Sequence, residues 1–252
     1  MQIQGKKAVV VGGASGMALA SAEQLHEKGA DIAILDLPGT AGPEVAEALG
    51  GTFHPVDVTD ELAVEQALSE AVDRLGGLHI AVNTAGGGIA KRTLSKDGPH
   101  PLDEFRQVVE MNLIASFNLN RLQAFHMAKN EPEDDERGVI VDTSSVAAFE
   151  GQIGQVAYTA AKAGIAGMVF TMARDLGSLG IRTLAIAPSL FSTGITKGVS
   201  EELSAALVRD AAFPKRMGRP EEYGRLVVAI VETPMLNGST IRLDAGQRFA
   251  PK

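Results

Sequence analysis

Short apolar runs, many of them β-branched, recur along the chain at Ala8–Val11, Asp31–Leu35, Leu78–Val82, Gly138–Val141, Arg182–Ile186 and Thr240–Leu243. Helical periods lie between them. Leu62–Leu75 carries apolar or small Leu62, Ala63, Ala67, Leu68, Ala71, Val72 and Leu75 in a helical period, and Tyr158–Leu179 is a second, longer helical stretch. Strands alternating with helices predict a parallel sheet covered by helices. Ala8–Val11 is apolar at every position, which fits a strand buried on both faces, because a half-exposed strand alternates. The pattern therefore predicts an α/β fold, a single domain over residues 1–252 built on a doubly wound parallel sheet of about seven strands.

Two segments interrupt this rhythm. Gly86–Pro101 carries Lys91, Arg92 and Lys96, and Asn130–Arg137 carries Glu131, Glu133, Asp134, Asp135 and Glu136. The second reads as a solvated acidic loop.

Composition narrows the function classes. A chain of 252 residues fits one large domain or two small ones, and no linker or internal repeat divides it. With 45% apolar and 21% charged residues it resembles an average globular protein rather than a disordered chain. Acidic residues outnumber basic ones by 31 − 23 = 8 and no basic stripe appears, which argues against a nucleic acid partner. The absence of cysteine removes disulfides, thiol nucleophiles and thiolate metal sites, and no metal site is expected. Ala163–Ala173 is weakly polar but stops at Arg174, short of the ~20 residues that span a bilayer. Lys6 and Lys7 precede an apolar run too short for a signal peptide, so a cytoplasmic protein with no membrane partner is expected.

The first strand leads directly into Gly12-Gly13-Ala14-Ser15-Gly16-Met17 and then a helix. Such a turn is an anion site, because glycine lets the backbone approach a pyrophosphate and the helix presents free amides and the positive end of its dipole. On its own it is also what any tight strand-to-helix turn looks like. The second strand runs into Asp36, 24 residues after Gly12, near the spacing at which an acidic residue reaches the adenosine ribose of a dinucleotide in a Rossmann fold. The competing reading is a strand-end aspartate starting a turn before Pro38-Gly39. A carboxylate there repels a 2′-phosphate and no neighbouring cation offsets it, which favours NAD over NADP.

Tyr158 and Lys162 stand four apart on one helical face, so an ammonium sits beside a phenol. A cation favours phenolate and brings tyrosine toward use as a general base. Alone, the pair is equally an ordinary amphipathic helix edge. Thirteen residues before Tyr158, just past a strand, stands Ser145, at the end of the sheet where ligands bind.

Taken together, Gly12-xxx-Gly16, Asn83-Thr84-Ala85-Gly86, Asn112, Ser145, Tyr158-xxx-Lys162 and Pro188-Ser189-xxx-Thr193 resemble the short-chain dehydrogenase/reductase family over essentially the whole chain. Leu35–Pro38, Ser145–Gln152, Ile186–Phe191 and Leu236–Asp244 are similar to its type 2 3-hydroxyacyl-CoA dehydrogenase subgroup. The resemblance implies NAD-dependent oxidation of the 3-hydroxyl of a short, including 2-methyl-branched, acyl-CoA. It also implies roles. Tyr158 is the acid/base, Ser145 bonds the reacting oxygen, Lys162 holds the nicotinamide ribose and lowers the tyrosine pKa, and Asn112 holds a water linking Lys162 to solvent. Asp57 and Val58 are implied at the adenine, Gly12, Ser15, Gly16 and Met17 at the phosphates and ribose, Thr84 at the turn after the fourth strand, and Phe191 with Thr193 at the nicotinamide. Asn83 is implied as a brace of the central strands.

Val11, Ala18, Thr84 and Ser189 depart from the family pattern, and Ser189 would be strained if the glycine it replaces needs a positive φ. Other classes stay open: a silent dinucleotide-binding sensor or scaffold, an NADPH-dependent 3-oxoacyl carrier-protein reductase, and a steroid or other secondary alcohol dehydrogenase. Lys91, Arg92 and Lys96 are expected as contacts for CoA phosphates, although each alone reads as an ordinary loop charge. Ala160, Ala161, Ala163, Gly164, Ala166 and Gly167 allow close approach of another helix, either a second copy in a homotetramer or the chain's own sheet.

Overall fold

A computed structural model describes residues 1–193 and 201–250. Seven parallel strands form one sheet: β1 (Lys7–Val11), β2 (Asp31–Asp36), β3 (Thr52–Pro55), β4 (Ile80–Asn83), β7 (Gly138–Thr143), β8 (Ile181–Pro188) and β9 (Thr240–Leu243). Their order across the sheet is β3-β2-β1-β4-β7-β8-β9. A two-residue antiparallel hairpin, β5 (Leu94–Ser95) and β6 (Gly98–Pro99), stands apart in the basic interruption. The helices are α1 (Gly16–Glu27), α2 (Gly42–Ala48), α3 (Glu61–Leu75), α4 (Leu102–Val109), α5 (Ala115–Met127), α6 (Val156–Leu176), α7 (Glu201–Leu207) and α8 (Pro220–Glu232).

Side-chain alternation builds two cores. Ala8, Val10, Ile32 and Ile34 face Leu25, Tyr223, Val227 and Ile230, so α1, α2 and α8 cover one side of the sheet. Val9, Val11, Ala33 and Leu35 face Leu68, Leu119 and Met127 on the other side, under α3 and α5. Both faces are dry, as the uniformly apolar run Ala8–Val11 of β1 demands. Chain order reverses between β1 and β4, and the carboxyl ends of those strands form the crevice where such sheets bind ligands.

Helix ends follow local chemistry. Asp60 caps α3 by accepting from the Ala63 N–H at 3.0 Å, and Gly76 ends it in a left-handed conformation at φ 76°. By length and composition α6 is long and apolar enough to cross a membrane, which the stretch ending at Arg174 did not suggest. Here it lies along β8, with Ile165 and Val169 packed on Ala185.

The solvated-loop reading of Asn130–Arg137 needs a correction at one residue. Glu136 is half-buried with its side chain only 9% exposed, and it holds Arg182 Nε at 2.8 Å and the amino terminus of Met1 at 2.9 Å. Glu133, 69% exposed, fits that reading and pairs with Lys6.

Candidate active site

The crevice at the topological switch is a cleft of about 740 Å³, lined among others by Gly12, Ser15, Gly16, Met17, Asp36, Asp57, Val58, Thr84 and Thr193. Nine of the residues read from the sequence thus share one wall system. The cleft fits a dinucleotide, since ligand sites run to ~300–1,000 Å³. Gly12 has φ +77°, and a Cβ there would stand 2.8 Å from Thr84 Oγ1, so the backbone at the turn occupies space that a side chain cannot. Ser15 begins α1 in extended conformation with no side-chain cap, which leaves the first amides of α1 facing the cleft's anion site. Asp36 accepts from the Ala14 N–H at 2.9 Å and the Leu37 N–H at 2.7 Å. Among the described residues no Lys or Arg lines this cleft.

Sequence reasoning assigns no role to Val56, Gln107, Glu110 and Met111, which also line it. Glu110 and Met111 lie in a π-helical turn, Glu110–Ile114, between α4 and α5, and no local residue pattern announces such a turn. Asn112 lies in the same turn.

Asn112 is fully buried. Its Nδ2 donates to the Gly87 carbonyl at 2.7 Å and to the Val108 carbonyl at 2.8 Å, and its Oδ1 accepts from the Gly87 N–H at 3.2 Å. Its side chain therefore braces the loop after β4, and its own carbonyl accepts from Ser116 Oγ at 2.6 Å. That loop must be glycine. A Cβ on Gly86 would lie 2.6 Å from Asn112 Oδ1 and 3.3 Å from Lys162 Nζ. Gly86 lines the cleft, so Lys162 stands directly behind its wall.

Lys162 is held at both ends by β7 and its extension: Nζ donates to the Thr143 carbonyl at 2.8 Å, and its own carbonyl accepts from Ser144 Oγ at 2.8 Å. Its Nζ lies 5.6 Å from the Tyr158 ring centroid. Burial pulls its pKa down to about 8, against the opposing charge of Asp142. Ser145 sits just beyond the end of β7 and accepts from the Ala147 N–H at 3.1 Å.

Burial pushes the Tyr158 phenol above its ordinary value, and the neighbour that pulls it down is Ser145, through a side-chain hydrogen bond. Lys162, expected to lower it, gives one N–H to the Thr143 carbonyl and holds its charge 5.6 Å from the Tyr158 ring.

Phe191 does not line the main cleft. Its ring meets Tyr223 edge-on at 6.4 Å and borders a separate cavity of about 260 Å³. Ser189 is not among the residues with positive φ, so the anticipated strain is absent; its N–H bonds the Leu243 carbonyl at 3.1 Å and its hydroxyl the side chain of Gln247. Thr84 Oγ1 donates to the Val11 carbonyl at 3.0 Å, and Ala18 is buried in α1 without a conflict. The three loop cations separate. Lys91 pairs with Glu104 at 2.7 Å, Arg92 borders a cavity of about 400 Å³ formed with Gly151–Gly154, and Lys96 is exposed in the hairpin turn. Among the described residues no group of metal-ligating side chains converges.

A dinucleotide cleft at the switch point of a parallel sheet, with serine, tyrosine and lysine gathered behind its wall, defines an oxidoreductase class. A family model described as enoyl-(acyl carrier protein) reductase matches residues 12–248. The human and Drosophila melanogaster 3-hydroxyacyl-CoA dehydrogenases type-2 are each 46% identical over 99% of this chain, covering 97% and 100% of their own lengths. The crystal structure of a 3-hydroxyacyl-CoA dehydrogenase type-2 from Mycobacterium avium superimposes with a TM-score of 0.95 at 41% identity, over 98% of each chain. A 7α-hydroxysteroid dehydrogenase complexed with NADH and 7-oxo glycochenodeoxycholic acid gives 0.87 at 27% identity, over 100% of this chain and 97% of its own. The chain belongs to the short-chain dehydrogenase/reductase family. It is an oxidoreductase that uses a nicotinamide cofactor.

Proposed function

We propose that this enzyme oxidises the 3-hydroxyl of a short-chain 3-hydroxyacyl-CoA to the 3-keto thioester, using NAD. One observation carries the chemistry: Lys162, anchored on the Thr143 carbonyl, stands 5.6 Å from the Tyr158 ring, with Ser145 near enough to pull the phenol's pKa down, behind the wall of a cleft rimmed by the Asp36 carboxylate. The substrate class follows from the likeness to the 3-hydroxyacyl-CoA dehydrogenases. Asp36 at the ribose end, with no cation lining the cleft among the described residues, supports NAD over its phosphorylated form.

Held in this cleft by Gly12–Met17 and Asp36, NAD would supply a hydride acceptor for carbon 3. Tyr158, as the phenolate formed when its own proton passes to solvent, takes the proton of the substrate hydroxyl at Oη. Ser145 Oγ bonds the same oxygen and orients it toward the phenol. Lys162, protonated below about pH 8, supplies the positive charge that favours the phenolate as the proton arrives and leaves.

Arg92 and Lys96 are the loop cations with exposed side chains, and they support phosphate contacts each worth roughly 0.2–1 kcal/mol. The test compares kcat/KM for 3-hydroxybutyryl-CoA with that for its N-acetylcysteamine thioester, which keeps the reacting end and lacks phosphates. A clear preference for the CoA ester supports the reading, and equal rates overturn the CoA assignment.

A homotetramer is part of the same reading. Phe117 and Phe125 of α5 and Phe170 of α6 stand 52%, 61% and 52% exposed, apolar area of a kind that association covers. A monomeric mass by light scattering at micromolar concentration rejects it.

A further inference from the structure

Behind the proposed catalytic lysine lies a polar cluster that the chemistry above does not use. Asp142, on β7, is completely buried. One carboxylate oxygen accepts from Asn83 Nδ2 at 3.0 Å and the other from Asn120 Nδ2 at 2.7 Å. Asn83 is itself fixed by Gln123, which exchanges two hydrogen bonds with it at 3.0 and 2.8 Å. Three elements, β4, α5 and β7, thus converge on one carboxylate, and the partners they supply are neutral amides. A buried charge with only neutral donors is costly unless a counter-charge is near.

The next residue on the strand, Thr143, offers its carbonyl to Lys162 Nζ, which brings the ammonium to the same end of β7. Lys162 is 3% exposed and Asp142 0%. Around the pair, β4 presents Asn83, α5 presents Asn120 and Gln123, α6 presents Tyr158 and Lys162, and α8 presents Tyr223, whose hydroxyl bonds Thr143 Oγ1 at 2.7 Å. The titratable members are two acids that stay neutral near pH 7, Tyr158 and Tyr223, and the oppositely charged Asp142 and Lys162.

Resting on the reading of Lys162 as part of the catalytic machinery, we propose that Asp142 is a positioning residue, the buried counter-charge that keeps Lys162 an ammonium at the end of β7. The amides of Asn83 and Asn120 hold the carboxylate still, and the carboxylate makes a charged lysine tolerable in a dry site. Burial pushes Asp142 up to about 6 and Lys162 down to about 8, so both are ionised together between those values. Below that window the lysine loses its partner's charge. Above it the lysine loses its own.

The experiment reads Lys162 directly and needs neither cofactor nor substrate, so its outcome is separable from the identity of the substrate. Lysine labelled with carbon-13 at Cε is incorporated, the Lys162 resonance is assigned by its loss in Lys162→Arg, and the resonance is followed with pH. In the unmodified protein it should titrate near pH 8, with a smaller inflection near pH 6 as Asp142 takes up a proton. In Asp142→Asn the main midpoint should fall by about one pH unit or more, the size of shift an adjacent opposite charge produces, and the smaller inflection should vanish. The pH profile of kcat/KM should lose its limb near pH 6 in the same variant. A purely structural role for Asp142 moves none of these readouts. An unchanged Lys162 midpoint in Asp142→Asn overturns the proposal. Should that variant not fold, a single inflection in the unmodified protein overturns it equally.

Discussion

The backbone N–H of Ala14 donates to the Asp36 carboxylate at 2.9 Å, tying the middle of the glycine turn to the end of β2. The Leu37 N–H holds the other oxygen at 2.7 Å. A carboxylate fixed in this way is an aimed acceptor for ribose hydroxyls and a fixed repulsion for a phosphate. NAD should bind at least about tenfold more tightly than NADP, a difference of about 1.4 kcal/mol, and Asp36→Ala should narrow the ratio by weakening NAD. Calorimetry that finds equal affinities in the unmodified protein contradicts the role given to Asp36.

Tyr158→Phe keeps the ring between Gly88 and Lys162 and removes the hydroxyl alone. Turnover should fall by about 10²–10⁴-fold, the range for loss of a positioned acid or base, with the dissociation constant for NAD nearly unchanged. Activity close to the unmodified level would remove Tyr158 from proton transfer.

Gly12→Ala places a methyl 2.8 Å from Thr84 Oγ1 at φ +77°. Thr84 cannot retreat freely, because its hydroxyl is bonded to the Val11 carbonyl. The expected cost is about 1–3 kcal/mol of stability, seen as a melting temperature lower by several degrees, together with weaker NAD binding. Thermal unfolding with and without NAD measures both.

Arg182 serves the Ile230, Val231 and Leu236 carbonyls as well as Glu136, all in a nearly dry site. Arg182→Met should cost about 1–3 kcal/mol or more in urea unfolding, the penalty for leaving buried carbonyls without this donor, while the Met1 amino terminus stays with Glu136. Glu133→Gln, at an exposed partner of Lys6, should be nearly silent. Equal effects would mean that burial is not what distinguishes the two acids.

Glu222 gives a pH prediction with a definite sign. The Arg216 guanidinium bonds both its oxygens, at 2.8 and 2.7 Å, and the Arg219 N–H adds a third bond at 2.8 Å, which hold its pKa at about 2. The folded value lies below the unfolded one of about 4.3. The contact therefore stabilises above that unfolded value and loses its effect as pH falls toward about 2. The stability difference between the unmodified protein and Glu222→Gln should be flat from pH 7 to 5 and shrink in more acidic urea titrations. A difference that grows on acidification contradicts this assignment.

What could be read from the sequence was whatever is local. The turn Gly12–Gly16, the Asp36 that follows one strand later and the Tyr158–Lys162 spacing are each set within a few residues, and the structure gathers them at one end of the sheet. Elements whose identity depends on distant partners were less legible. β7 runs on through Asp142 and Thr143 because the ladder to Ala185 and Ile186 continues after the apolar run ends at Val141. β3, four residues with His54 among them, has no apolar run to announce it. Asp142, Asn83, Asn120 and Gln123 are scattered over sixty residues of chain and become a cluster only when three elements pack. The loop cations erred in the other direction: adjacent in sequence, Lys91 and Arg92 serve different neighbours, because Glu104 of α4 claims the first.

The formation of NADH reads most directly whether 3-hydroxyacyl-CoA is oxidised at the expense of NAD. Purified enzyme mixed with NAD and 3-hydroxybutyryl-CoA should produce a rise in NADH absorbance, with full turnover beyond one equivalent per subunit and none in Tyr158→Phe. NADP in place of NAD should give a much slower rise. If the unmodified enzyme forms no NADH from 3-hydroxybutyryl-CoA or its 2-methyl analogue, yet oxidises a steroid or another secondary alcohol with NAD, the substrate assignment is wrong while the site stands. If it binds NAD and oxidises none of them, the oxidation itself is contradicted.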